Sequence, residues 1–155
     1  MKWISTDIEM YLKAAEYVDT AIIPLFPVAF GDGMKESSAK TEFSGLLSGL
    51  LERQFRGRVI LLPGIPYLNG SEDSLILQLE EWEKVLAEGG LKHVFYITSD
   101  IGWKQRESRL GGSLLWMPSL PLEHMDEASK MSVLEDQAKQ LMPLFARKWE
   151  ELDGV

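Results

Sequence analysis

The stretch that most limits what this chain can fold into is Arg58–Tyr67, RVILLPGIPY. Val59 to Leu62 are four uninterrupted apolar residues, and Pro63, Gly64 and Pro66 close the run. A short run without polar alternation, ended by turn formers, is the pattern of a strand covered on both faces, as in a parallel sheet with helices above and below. Helical patterns precede and follow it, so the stretch is expected as a central strand of an α/β sheet.

The rest of the chain fits that frame. Residues Lys2 to Ser5 are read as a short first strand. Thr6 and Glu9 are spaced as a capping box, and Ile8, Tyr11, Leu12, Ala15 and Val18 continue a helix from about Asp7 to Val18. Thr20 to Phe30, TAIIPLFPVAF, is apolar but holds Pro24 and Pro27, each without a backbone donor. A strand is therefore expected near Ala21 to Phe26 with an irregular exit, not a flat central strand through both prolines. After Gly31-Asp32-Gly33, a second helix is expected from Ser37 or Ser38 to Phe55, with Phe43, Leu46, Leu47, Leu50 and Leu51 on its apolar stripe. Gly45, Ser48 and Gly49 leave room for close packing on the sheet, and Gly57 suits the turn that follows.

Ser71 is positioned to cap a third helix whose stripe is Leu75, Leu79, Trp82 and Leu86, ended by Gly89-Gly90. Lys92 to Thr98 reads as a buried strand and Ser113 to Met117 as a last one. The segment between them is a short helix or a charged loop. It is close to the minimum for a parallel crossover, so an antiparallel edge strand is an alternative. A long helix from Asp126 or Ser129 carries Leu134, Ala138, Leu141, Phe145, Trp149 and Leu152, with Pro143 inside it as an expected kink. Strands alternate with helices throughout. The expected architecture is a three-layer helix–sheet–helix sandwich with four or five mostly parallel strands, in one domain over residues 1–155.

Composition narrows function mostly by exclusion. The chain has no cysteine, so disulfides, thiolate nucleophiles and Cys-based metal centres are out of reach. The formal charge of −8 argues against nucleic acid as the main partner. No apolar run approaches a membrane span, and the first residues do not read as a signal peptide, so a cytoplasmic protein is expected. There is no G-x-G-x-x-G, no G-x-x-x-x-G-K-[ST] and no G-x-S-x-G. His93 and His124 are not spaced as ligands on one helix face, so neither a metal nor a cofactor is expected.

The words IST-DIEMYLKAAEYVDTAIIPL, LLERQFRGRVILLPGIPY, HVFYITSD and LLWMPSLP together resemble the YpiF-like family of Bacillus-type bacteria, a domain of unknown function. The resemblance covers nearly the whole chain and implies a cytosolic protein with no assigned activity. A second resemblance, over about a third of the chain, is to the α/β domain of TolB and CsgG-type envelope proteins. There IIPLFPVAF, FSGLLSGLLERQF and RVILLP run in similar order, although the leader such proteins carry is not expected here. That resemblance implies a protein-contact module.

Ligands of parallel sheets gather outside the carboxyl ends of the strands. Those ends here give Asp7, Asp32, Tyr67, Ser99, Asp100 and Trp103 as the candidate cleft. Asp32 and Asp100 could act as an acid–base pair or hold a hard cation, while each also suits an ordinary turn or cap. Trp82 and Trp149 fall on apolar helix stripes and belong to the core. Trp3 and Trp103 are the surface candidates, and the basic trio Lys104, Arg106 and Arg109 beside Trp103 suits either solvent or an acidic partner. The leading expectation is a non-enzymatic interaction or regulatory module whose partner is another protein or a second copy. The alternative is a small-molecule binder or enzyme working through Asp32 and Asp100.

Overall fold

The structure is a computed structural model and describes residues 1–153, with side chains up to residue 151; Leu152, expected on the last stripe, lies outside those. The elements are α1 (Ser5–Lys13), β1 (Thr20–Val28), α2 (Met34–Gln54), β2 (Val59–Leu61), β3 (Ile65–Leu68), α3 (Glu72–Glu88), β4 (His93–Thr98), β5 (Ser113–Trp116) and α4 (Glu127–Asp153). A nine-residue 3-10 helix, Ile101–Arg109, joins β4 to β5. The sheet order is β2-β1-β4-β5, and β3 pairs with β1 beyond the end of β2. Every strand pairing is parallel. One apolar cluster packs α1, α3 and the 3-10 helix on one face, and a second packs α2 and α4 on the other. The α/β three-layer sandwich expected from sequence is the observed fold.

RVILLPGIPY is not central. It forms two short pieces, β2 and β3, at the edge of the sheet, broken at Pro63-Gly64. Its apolar character comes from a cover that lies far away in sequence. The Met1 ammonium donates to the Val59 carbonyl at 2.7 Å, Leu61 N donates to the Met1 carbonyl at 2.7 Å, and Lys2 bridges Leu61. The expected first strand thus shrinks to one bridge, and α1 begins at Ser5. The capping box does not form: Ile4 is the N-cap, and Asp7 accepts from the Lys2 amide at 2.7 Å. The helix also ends sooner than expected, at Lys13, before a 3-10 turn at Ala15–Tyr17.

The central strand is β1, and it runs through both prolines. The gaps in its neighbours explain why. On one side β1 pairs β2 through Ile22 and β3 from Leu25, so Pro24 faces the break between them. On the other side pairing with β4 stops at Pro24↔Ile97, short of Pro27. The Pro27 carbonyl instead accepts from Ser37 Oγ at 2.6 Å and Thr41 Oγ1 at 2.9 Å, both on α2. Neither missing donor leaves an interrupted ladder. The Phe26 ring fills the space beside the break. It lies so close to Gly64 that a methyl there would overlap it, and 3.4 Å from where a methyl on Gly45 of α2 would stand.

β5 lies parallel to β4, not antiparallel. The 3-10 helix makes this short return possible, because it rises about 2.0 Å per residue against 1.5 Å in an α-helix. α4 continues through Pro143 and buries Leu134, Ala138, Leu141 and Phe145 as its periodicity requires.

Candidate functional site

The carboxyl ends of β3 and β4 hold a buried polar network. β4 ends at Thr98, whose Oγ1 accepts from the Asp100 amide at 3.0 Å and donates to the Leu25 carbonyl at 3.3 Å. Asp100 then caps the 3-10 helix, accepting from Gly102 N at 2.9 Å through Oδ1. Its other oxygen accepts from the Tyr67 hydroxyl at 2.5 Å. That hydroxyl accepts in turn from Trp103 Nε1 at 2.8 Å, and the two rings meet edge to face at 5.6 Å. Glu72, the first residue of α3, accepts from Gly70 N at 3.3 Å and faces Gly102 beside Asp100. Asp100, Glu72 and Trp103 are 6%, 4% and 0% exposed.

Two carboxyls in so dry a site do not ionise alike. Burial raises the Glu72 pKa, and its hydrogen bond with Asp100 raises it further. Burial pushes Asp100 upward too, but hydrogen bonds from Tyr67, Glu72 and the Gly102 amide outweigh it and hold Asp100 below its ordinary value. The two carboxyls are therefore pushed apart, Glu72 upward and Asp100 downward. Burial, followed by the Asp100 carboxylate, raises the Tyr67 phenol so that it stays a donor. Arg106 closes the outside. It donates to Asp73 Oδ1 at 2.7 Å and to the Gly102 carbonyl at 2.6 Å, with a guanidinium nitrogen 4.0 Å from Glu72.

Of the six residues expected in a cleft, Tyr67, Asp100 and Trp103 meet here directly. Ser99 is buried beside them, and its Oγ has no hydrogen-bond partner among the described residues. Asp32 sits exposed in the 3-10 turn Gly31–Gly33, and Asp7 is engaged with the Lys2 amide. The carboxyl beside Asp100 is Glu72, which the sequence offers only as one of two acids in a helix first turn. Among the described residues, no three or more His, Asp or Glu side chains gather as a metal site.

Trp103 is no surface residue. The threefold period of a 3-10 helix turns it inward together with the Asp100 cap, where α-helical spacing gives no such signal. The basic trio is also committed internally. Arg106 and Arg109 both reach Asp73, and Lys104 Nζ lies 4.3 Å over the Trp116 ring. Trp82, expected in the core, is 39% exposed. It looks across α3 to the β2–β3 break, where Trp82, Val85, Gln78 and Glu81 face Pro63–Pro66 over a groove of about 550 Å3. A shallower hollow of about 270 Å3 continues it along Pro66 and Gln78 toward Ser71. Tyr67 of the network lines this extension of the groove.

Comparison with known proteins places this arrangement in a lineage. The model of a family described as a protein of unknown function, DUF2487, matches residues 9–149. The chain belongs to the DUF2487 family. It is also similar to the uncharacterized protein YpiF of Bacillus subtilis, at 34% identity over 152 residues, covering 98% of this chain and all of that protein. No solved structure matches it. The match to the family model spans every strand and helix from β1 to β5, together with the groove and the carboxyl pair. No helix among the described residues is long and apolar enough to cross a membrane.

Proposed function

We propose that this DUF2487 member is a non-enzymatic module that docks a protein partner in the groove between α3 and the β2–β3 break. The observation that carries the reading is the exposure of Trp82 and Val85, 39% and 63%, above a concave apolar wall of Pro63, Ile65 and Pro66. Exposed aromatic and apolar side chains grouped over a concavity mark protein contacts. The buried carboxyl pair supports the same view from the other side. Its acceptors are taken up by Tyr67, Gly102 and Gly70, and it lies under Arg106, so its polar atoms serve the fold.

The test sets docking against small-molecule chemistry. A photo-crosslinking residue placed at Val85 is expected to give one discrete adduct in the native cell, lost in Trp82→Asp. The same probe at Leu12, exposed on α1, is expected to give none. A thermal-shift screen against metals, nucleotides and metabolites is expected to stay silent. A ligand hit abolished by Asp100→Asn or Glu72→Gln would replace the docking reading with a binding site at the strand ends. A ligand at 100 times its Kd would add about 2.7 kcal/mol of stability, within reach of that screen.

A further inference from the structure

We infer that the occupant of the α3 groove is a cationic amphipathic segment of a partner protein, seated by its apolar face and oriented by the acidic surface of α3. The inference rests on the docking reading and adds the chemistry of the partner. Glu81 is the charged residue lining the groove. It belongs to the helix Glu72–Glu88, and Glu88, two turns further along the same side, stands exposed as well. The whole chain carries −8, so the long-range field has the same sign as the rim. Complementary charge of this kind steers encounter and sets orientation, while the apolar contacts supply affinity.

The floor of the groove limits the form of the occupant. β3 pairs β1 along one edge, and residues of a strand turn their amides alternately to the two sides. Tyr67 and Asn69 face β1, as the bond from Asn69 N to the Val28 carbonyl shows, so Pro66 and Leu68 face outward. Pro66 has no amide hydrogen to offer an added strand, and the Leu68 carbonyl is already taken by Ser71 N at 2.9 Å. Strand addition therefore has little to bond to. A helix laying apolar side chains at i, i+3 and i+4 between Trp82, Val85 and Ile65 suits the walls, with Lys or Arg outside them against Glu81 and Glu88, which stand seven residues apart on the same side of α3. A second copy of this chain would bring the same acidic helix to an acidic rim, which disfavours it.

The test uses two synthetic amphipathic helices of identical apolar face, one with Lys and one with Glu on the polar face, titrated into the full chain by fluorescence anisotropy. The Lys peptide is expected to bind wild type and to weaken at least tenfold in Val85→Asp, in Trp82→Ala and in the double change Glu81→Lys, Glu88→Lys. Its affinity is expected to fall as salt rises from 50 to 300 mM, because the rim charges are exposed. Circular dichroism of each variant should stay that of wild type, since all four positions are at the surface. Equal or tighter binding of the Glu peptide overturns the charge assignment and leaves the docking reading standing on its crosslink. Lys-peptide binding that ignores Val85→Asp and Trp82→Ala overturns the seat in this groove. Absence of binding by either peptide overturns the inference as a whole.

Discussion

Replacing Tyr67 by Phe removes one oxygen and strands two buried groups. The Trp103 indole N–H loses its acceptor at 2.8 Å, and the Asp100 carboxylate loses its donor at 2.5 Å. Trp103 is fully buried and Asp100 nearly so, so water has little access to replace either partner. A buried polar group left unpaired costs about 1–3 kcal/mol, with more for a charged one, which gives a total of about 2–5 kcal/mol. For a chain of this size each kcal/mol moves Tm by about 2–4 °C, so a loss of 3 kcal/mol lowers Tm by about 6–12 °C. The assay is urea unfolding followed by circular dichroism and tryptophan fluorescence, with the slope m expected to stay constant. The pH dependence carries a sign. Asp100 has a folded pKa below its ordinary value, so its contribution is present above that ordinary value and is lost as pH falls through the folded pKa. Tyr67→Phe removes part of that contribution, so wild type and variant should converge in acid. A loss below about 0.5 kcal/mol at pH 7, within the range of ordinary surface substitutions, would refute the closed network.

Three other substitutions probe separate parts of the argument. Glu72 has a folded pKa above its ordinary value, so its contribution is complete below that ordinary value and is lost as pH rises through the folded pKa. Glu72→Gln keeps a donor toward Asp100 but does not titrate, so the decline of Tm on the alkaline side should flatten. Gly64→Ala drives a methyl into the Phe26 ring and should cost about 1–3 kcal/mol by urea unfolding. Adding Phe26→Leu should return part of that loss. Glu52, fully buried on α2, sits 2.8 Å from the Met1 ammonium and 3.3 Å from Arg56, so Glu52→Ala leaves a buried cation unpaired and should cost about 3–5 kcal/mol. Despite the pull of burial, those cations hold the Glu52 pKa down, so this contribution fades as pH falls through its folded pKa.

The element order was legible because each element carries its own period. KHVFYIT became β4 within one residue, and the stripe of Leu134, Ala138, Leu141 and Phe145 became the buried side of α4. What local pattern could not carry was the partner of each element. Val59–Leu62 is apolar whether it lies centrally or at an edge covered by Met1 and Lys2, and that cover comes from residues almost sixty positions away. β1 passed through two prolines because both its neighbours stop at the right places, which no reading of TAIIPLFPVAF alone can reveal. Trp82 and Trp103 changed places for a related reason. α-Helical spacing put Trp82 inward, but at the break beside Pro63-Gly64 it stands across an open groove from the chain, not against it. Trp103 turns inward on a 3-10 period that the spacing rules did not anticipate.

The same contrast separates the two halves of the candidate site. Asp100 stood out in sequence because it follows a strand at the end where parallel sheets bind ligands. Its neighbours decide its use. With Tyr67 on one oxygen, the Gly102 amide on the other and Glu72 alongside, the carboxylate joins the β3–α3 turn to the start of the 3-10 helix. A general base must present an acceptor to a substrate, and here both oxygens are engaged beneath Arg106. The groove runs the other way. Nothing in SLILQLEEWEKV separates its residues from an ordinary amphipathic helix, yet Trp82 and Val85 remain uncovered beside an edge whose Pro66 blocks strand addition. Burial engages the conspicuous aspartate within the fold, and exposure leaves an inconspicuous helix face as the docking surface we propose.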